Sequence, residues 1–155
     1  MSSRGVKVRA ARPEDAAALA PLLRAQDKAE INAAKPDRSH YVVILRGVVE
    51  STMAWTFHVG DELAFVCGVA PYDLLSGTGV PWLLGTDAAP RHRHALMRLY
   101  PAYIAAMLTR YPRLENVVHL KNTASVRWLK RMGFSFGPEF KAPTGEPFAH
   151  FWMER

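Results

Sequence analysis

Residues 117–134 read VVHLKNTASVRWLKRMGF, and they decide the fold. The stretch opens as an apolar run of strand character through Leu120. It passes through Asn122, a residue type whose side chain caps helix starts. A short basic segment follows, with Trp128, Leu129 and Met132 at helical spacing on one side. Gly133-Phe134 closes it and opens the next strand-like run, GFSFG. The order is strand, asparagine-capped helix, glycine, strand.

Working outward, the chain supplies strands and helices in a definite order. VKVRA alternates as a strand, and Pro13, Glu14 and Asp15 make an acidic helix start suited to the positive end of the helix dipole. Pro21 is expected to kink or split that helix, because it lacks an N–H and its ring clashes with the preceding turn. AQDKAEINAAK continues as a second helix until Pro36. Ser39 reads as the N-cap of HYVVILRGVVEST, apolar enough for a mostly buried helix, although its β-branched residues leave a strand open. Residues 53–59 and 62–70 read as an antiparallel pair turned at Gly60-Asp61, and VPWLLG is a further strand. Residues 88–111 form the longest helical pattern, with Thr86 or Asp87 as cap and Pro101 as a bend. TGEPFAHFWMER turns at Gly145 into a last strand. This predicts an α+β fold: a mixed, mostly antiparallel central sheet flanked by helices, in one domain over residues 1–155.

Composition narrows the classes. No apolar run approaches the roughly 20 residues of a membrane helix, and the N-terminus shows no apolar core of a secretion signal. The single cysteine, Cys67, excludes an internal disulfide and suits a reducing compartment, so a cytoplasmic location is expected. His92 and His94, two apart, do not share a helix face, and with one cysteine no metal site is expected. The net charge of +6 favours phosphate-bearing partners. Nucleic acid is not among the expected partners, since there is no zinc-ligand spacing, leucine zipper or basic stripe interleaved with aromatics.

Asn122, Ser125 three residues on, and Gly133-Phe134 eleven and twelve on resemble the second signature block of the GNAT acetyltransferase superfamily. The opening VRAARPEDAAALAPLL and the whole element order resemble that superfamily as well. More narrowly, GVPWLLGTD, RYPRLENVV and the terminal FWMER resemble small phage and prophage proteins of GNAT-like fold, relatives of the small internal virion protein of short-tailed phages. The broader resemblance implies acetyl transfer from acetyl-CoA to an amine. The narrower one implies a non-catalytic protein of virion assembly or DNA delivery, with phage structural proteins as partners and the virion as a second location.

The resemblance also says where a site belongs and where the chain departs from the pattern. Its glycine-rich turn should cradle the pyrophosphate of coenzyme A on backbone N–H groups. Here GTDAAPRHRHAL has only Gly85, Pro90 removes a donor, and Asp87 brings negative charge. Arg91 and Arg93 are the side chains placed to compensate, and Asn122 falls at the superfamily's groove-facing cap; for all three, an ordinary solvated or capping role is the competing reading. The tyrosine acid expected seven residues after the asparagine is Leu129, which reads as core. Tyr72, Tyr100 and Tyr103 are the substitutes on offer. As proton relays, Asp87 and His119 are the candidates, each with a structural alternative as helix cap or satisfied strand histidine. Cys67, between apolar residues, reads as core. A homodimer through the aromatic tail is also expected, because a terminal strand exposes an edge unless it is covered.

Overall fold

The computed structural model describes residues 5–155, so the expectation about an N-terminal signal falls partly outside the described residues. Strand β1 (Val6–Ala10) leads into helix α1 (Glu14–Leu19). Pro21 splits the helical segment as expected: a 3₁₀ turn, Ala20–Leu22, separates α1 from α2 (Ala25–Ala34). Helix α3 (His40–Glu50) starts at Ser39, whose hydroxyl accepts the Val42 N–H at 3.1 Å. The expectation of a mostly buried α3 is corrected. It lies on the sheet by one stripe, Ile44 and Val48, while Tyr41, Val42 and Val49 are exposed. A helix resting on one sheet face can bury only the residues that point at it.

Strands β2 (Met53–Val59), β3 (Glu62–Pro71) and β4 (Thr78–Gly85) form the antiparallel meander. The long helical stretch is broken into α4 (Ala88–Arg91) and α5 (Arg93–Arg110) at His92, whose backbone leaves the helical region (φ −112°, ψ 26°). Strand β5 (Arg113–His119), helix α6 (Thr123–Met132) and the hairpin of β6 (Ser135–Lys141) and β7 (Pro147–Glu154) complete the chain. Helix α6 ends as the opening motif requires. Gly133 takes the left-handed conformation (φ 98°), and the Phe134 N–H closes back on the Leu129 carbonyl at 3.1 Å.

All seven strands belong to one sheet in the order β1-β2-β3-β4-β5-β7-β6. The final strand is therefore interior, paired with β5 on one side and β6 on the other. That removes the edge from which the homodimer was expected. Both faces of the sheet are covered. Ile44, Leu19 and Val66 belong to the core beneath α1–α3, and Phe57, Phe65, Leu96 and Met107 to the core beneath α5 and α6.

One seam in this sheet is incomplete. Strands β4 and β5 run parallel but pair only at Thr78↔Arg113 and Gly79↔Leu114. At that closed end a Cβ on Gly79 would stand 2.6 Å from both Tyr111 and Val69, so glycine is required there. Two residues on, Pro81 has no N–H to offer the neighbouring strand, and the ladder stops. Its carbonyl takes the Asn116 side-chain amide at 2.7 Å instead of a backbone donor. Beyond it the two strands diverge.

Candidate functional site

The divergence is held open by a polar cluster that joins three distant segments. Arg24 caps α2, and its backbone N–H donates to the Gly85 carbonyl at 2.9 Å. One helical turn on, Asp27 Oδ2 accepts the Gly85 N–H at 2.9 Å. The last residue of β4 therefore bonds to a helix on the side where β5 has moved away. From β5, the His119 N–H donates to Glu30 Oε1 at 3.2 Å. Asn122 stands between them and is 1% exposed. Its amide donates to Asp27 Oδ1 at 3.0 Å and to Glu30 Oε1 at 3.2 Å. Its oxygen accepts Arg24 Nη2 at 2.9 Å and the Ser125 N–H at 3.4 Å. Asn122 is thus a helix cap and a clamp between α2 and the opened strands.

This cluster is short of positive charge. Two carboxylates, Asp27 and Glu30, share one guanidinium, whose Nη2 stands 3.3 Å from Asp27 Oδ1. Burial raises the Asp27 carboxyl above its ordinary range despite Arg24 and the donated hydrogen bonds. Burial, reinforced by the charge of Asp27, raises Glu30 to about 7. Glu30 Oε2 has no hydrogen-bond partner among the described residues. Glu30 lines the cleft beside it, which makes it a carboxylate able to exchange a proton near neutral pH.

The cleft has a volume of about 850 Å³ and passes through the opened seam, reaching helices on both faces of the sheet. On the α5/α6 side its wall is apolar, with Phe65, Leu83, Met97, Tyr100 and Trp128. The rim there carries Arg93, Arg127 and Arg131. Arg127 and Arg131 lie four apart on one face of α6, and among the described residues neither has a side-chain partner. On the α2/α3 side, Glu30 and Asp27 lie at the base and Lys35, Arg38 and Arg46 at the rim.

The structure distributes the residues named from sequence. Arg93 reaches the cleft. Arg91 does not: its guanidinium bonds Glu62 at 2.6 and 3.3 Å and lines a separate hollow of about 440 Å³, together with Asp87. Asp87 makes no side-chain cap bond, and the Ala88 N–H goes to Thr86 Oγ1 at 3.1 Å. His119 is 3% exposed, stacked on Phe148 at 5.1 Å and bonded through Nε2 to Glu146 at 2.9 Å. Of the tyrosines, Tyr100 lines the cleft, but burial raises its hydroxyl well above the ordinary range. Tyr103 packs on Trp55 and Phe57, and Tyr72 is exposed in the β3–β4 loop. Leu129 packs against the core, as read. No group of three or more His, Cys, Asp or Glu side chains suited to a metal occurs among the described residues. Arg24, Asp27, Glu30, Arg127 and Arg131 were not named as site residues from the sequence; the local signals were the basic cluster of Arg127, Lys130 and Arg131 and the spacing of Asp27 and Glu30, one turn apart on α2.

No protein-family model matches the chain, and no curated protein matches it significantly. Solved structures do. The Salmonella typhimurium protein yncA, solved with acetyl-CoA as its cofactor, superposes with a TM-score of 0.68 at 13% identity, over 97% of this chain and 94% of that one. The fold is that of the GNAT acetyltransferases. AAC(6')-Ib in complex with ribostamycin and coenzyme A gives a TM-score of 0.70 at 15% identity, over 97% and 94% of the two chains. RimL, a ribosomal L7/L12 α-N-protein acetyltransferase solved with coenzyme A, gives 0.69 at 15%, over 99% and 95%. In the GNAT fold of this chain the broken β4–β5 seam, the clamp at Asn122 and the cleft through the sheet form one continuous feature. No helix among the described residues is long and apolar enough to cross a membrane.

Proposed function

We propose that this protein is a GNAT-fold N-acetyltransferase that takes its acetyl group from acetyl-CoA and delivers it to an amine. The observation that carries the reading is the cleft through the sheet, with Glu30 at its base and a free carboxylate oxygen turned to no protein donor. The chain suits the cofactor in two respects. Beyond Pro81 the edge of β4 has no strand partner on the β5 side, and the apolar wall beside it accommodates an extended pantetheine arm. Arg93, Arg127 and Arg131 supply positive charge on the same side for phosphates. The turn itself supplies little: the Ala88 and Ala89 N–H groups are taken by Thr86, and Pro90 has none.

Bound acetyl-CoA supplies an activated thioester. This chain's residues do the rest. Glu30 accepts a proton from the attacking ammonium, which must be neutral to react; a base poised near 7 suits that task. Asn122 and the His119 N–H hold Glu30 in place. Water in the open cleft suffices to return a proton to the leaving thiol, whose ordinary pKa is about 8.5, so the absence of a tyrosine at Leu129 is not an obstacle. Calorimetry with acetyl-CoA tests the reading. Micromolar binding, weakened about tenfold in Arg93→Ala and in Arg127→Ala, is expected; no heat at millimolar ligand overturns it.

A second reading is favoured by a specific observation, the closed-off turn between β4 and α5. On that reading the scaffold is non-catalytic and works in virion assembly or DNA delivery, as the narrower phage resemblance implies. It predicts no coenzyme A binding and no effect of Glu30→Gln on any function.

A further inference from the structure

Resting on the acetyltransferase reading, we infer that the acceptor is an amine that carries an anionic group, a carboxylate or a phosphate, a few bonds from its nitrogen. Charge is arranged unevenly along the α2/α3 mouth. The amine must reach Glu30. From there α2 advances about 1.5 Å per residue, so its last residue, Ala34, stands roughly 6 Å further along the axis and Lys35 follows it. Lys35 and Arg38 both line the cleft and both are exposed. Neither has a side-chain partner among the described residues. Arg46, across the mouth on α3, lines it as well and pairs with Glu50 at 3.1 Å. The rim thus presents three cations, Lys35, Arg38 and Arg46, against one carboxylate, Glu50. Asp37 lies in the same turn as Arg38 but does not line the cleft.

These charges sort amines by what they carry. A diamine whose first nitrogen reaches Glu30 would bring its second ammonium among Lys35, Arg38 and Arg46. An acidic amine of the same length brings an anion to two side chains that lack one. Guanidinium and ammonium groups at a solvent-exposed rim act on capture and selection more than on the chemical step, and their effect is screened by salt. Asp27 and Glu30 do not cancel this preference: Asp27 is bonded to Arg24, Gly85 and Asn122, and Glu30 faces the amine itself at the base, not the group carried at the rim.

The test uses four amines of matched reach: γ-aminobutyrate, 3-aminopropyl phosphate, n-butylamine and 1,4-diaminobutane. Thiol release from acetyl-CoA is followed at about 20 and 300 mM salt. The acidic pair is expected to exceed butylamine at least tenfold in kcat/KM, and diaminobutane by more, with the advantage shrinking several-fold at the higher salt. The ratio of the two acidic members tells carboxylate from phosphate. The double variant Lys35→Glu/Arg38→Glu should invert the ranking through KM, with diaminobutane gaining and the acidic amines losing about tenfold. Both side chains are exposed, and an unchanged melting temperature certifies the fold. Independently of turnover, calorimetry on protein saturated with coenzyme A should give heat with γ-aminobutyrate and none with diaminobutane. Diaminobutane equal to or better than the acidic amines overturns the inference and leaves the acetyltransferase reading standing. So does coenzyme A binding with no acidic amine bound or acetylated. Failure of coenzyme A itself to bind removes the parent reading instead.

Discussion

Asp15 and Asp27 are both buried carboxylates with an arginine beside them, at the starts of successive helices, yet they end on opposite sides of the ordinary acid range. Burial alone would raise Asp15. Instead it is held at about 2 by Arg9, which donates from both Nη atoms at 2.7 and 2.9 Å, by the Arg12 N–H at 2.8 Å, and by the Thr56 hydroxyl at 2.7 Å. Four donated bonds serve one negative charge. Around Asp27 and Glu30, one arginine, one asparagine amide and two backbone N–H groups serve two carboxylates, and burial wins. The difference lies in burial and donors together: Asp27 and Glu30 sit deeper than Asp15, and they share fewer donors per charge. A carboxylate saturated with donors is a fixed structural anion; a pair that shares too few is poised to hold or release a proton.

The sharpest way to break this contrast is to neutralise one member of each cluster and ask what is lost. Glu30→Gln keeps an acceptor for the His119 N–H and for Asn122 but cannot take a proton. On the transferase reading kcat should fall about 10²–10⁴-fold, the usual worth of a general base, with KM for acetyl-CoA little changed. The same variant should fold at least as stably as the parent at pH 8, because a group whose charged form is costly has been made neutral. A variant that retains full activity would show that Glu30 is not the base. Asp15→Ala should do the opposite. It leaves the Thr56 hydroxyl and Arg9 without their anion and costs about 3 kcal/mol, tempered because Arg9 reaches solvent. For a chain of this size that lowers Tm by roughly 6–12 °C. Activity measured below the transition should persist; its loss would mean that the Asp15 cluster also shapes the cleft.

How much of this was readable from the sequence follows from the range of the contacts involved. The fold was legible because its evidence is local: Asn122 caps at three residues' distance, Gly133 stops the helix ten residues after its start, and Pro21 splits a helix in place. The base of the cleft was not. Arg24 meets Asn122 across 98 positions and Asp27 meets it across 95, and no periodicity within α2 shows that one of its faces will close on the end of β4. Arg91 illustrates the converse. It sits at a helix start where an anion binder is wanted, yet Glu62, 29 positions away, draws it elsewhere. Pro81 stood in the sequence too, but its meaning depends on which neighbour its backbone faces. On an outer edge it would be harmless; toward β5 it ends the ladder and opens the cleft.

The two clusters also set opposite pH limbs of stability. Glu30 titrates at about 7 in the fold and near its ordinary value when unfolded. Between about 4.5 and 7 the folded state therefore binds more protons than the unfolded state, and stability falls as pH rises through that window. Asp15, held at about 2, works the other way: its contribution is present above its ordinary value near 3.9 and is lost as pH falls toward 2. Denaturant midpoints measured from pH 3 to 8 should show that Glu30→Gln removes most of the decline toward neutrality, Asp27 keeping the rest, and leaves the acid limb intact. Asp15→Ala should weaken the acid limb alone, since Glu62, Asp73 and Glu146 are also held below their ordinary values and keep part of it. A Glu30→Gln profile parallel to the parent would mean that the charge on Glu30 is not costly in the fold, and the contrast between the clusters would disappear.

The smallest effect is the finest test of donors per charge. Thr56 is 0% exposed on β2, and its hydroxyl serves only Asp15. Thr56→Val keeps the shape and takes away one of four donated bonds. Because Arg9 and the Arg12 N–H remain, Asp15 should stay ionised at neutral pH, and the cost should be about 1 kcal/mol, the ordinary worth of one hydrogen bond, rather than that of an orphaned buried charge. The acid limb should also begin at slightly higher pH, since one of the interactions holding the carboxyl down is gone. If Thr56→Val instead cost as much as Asp15→Ala, the bonds around Asp15 would act as a single unit rather than as a surplus. Saturation would then no longer distinguish this cluster from the one beneath the cleft.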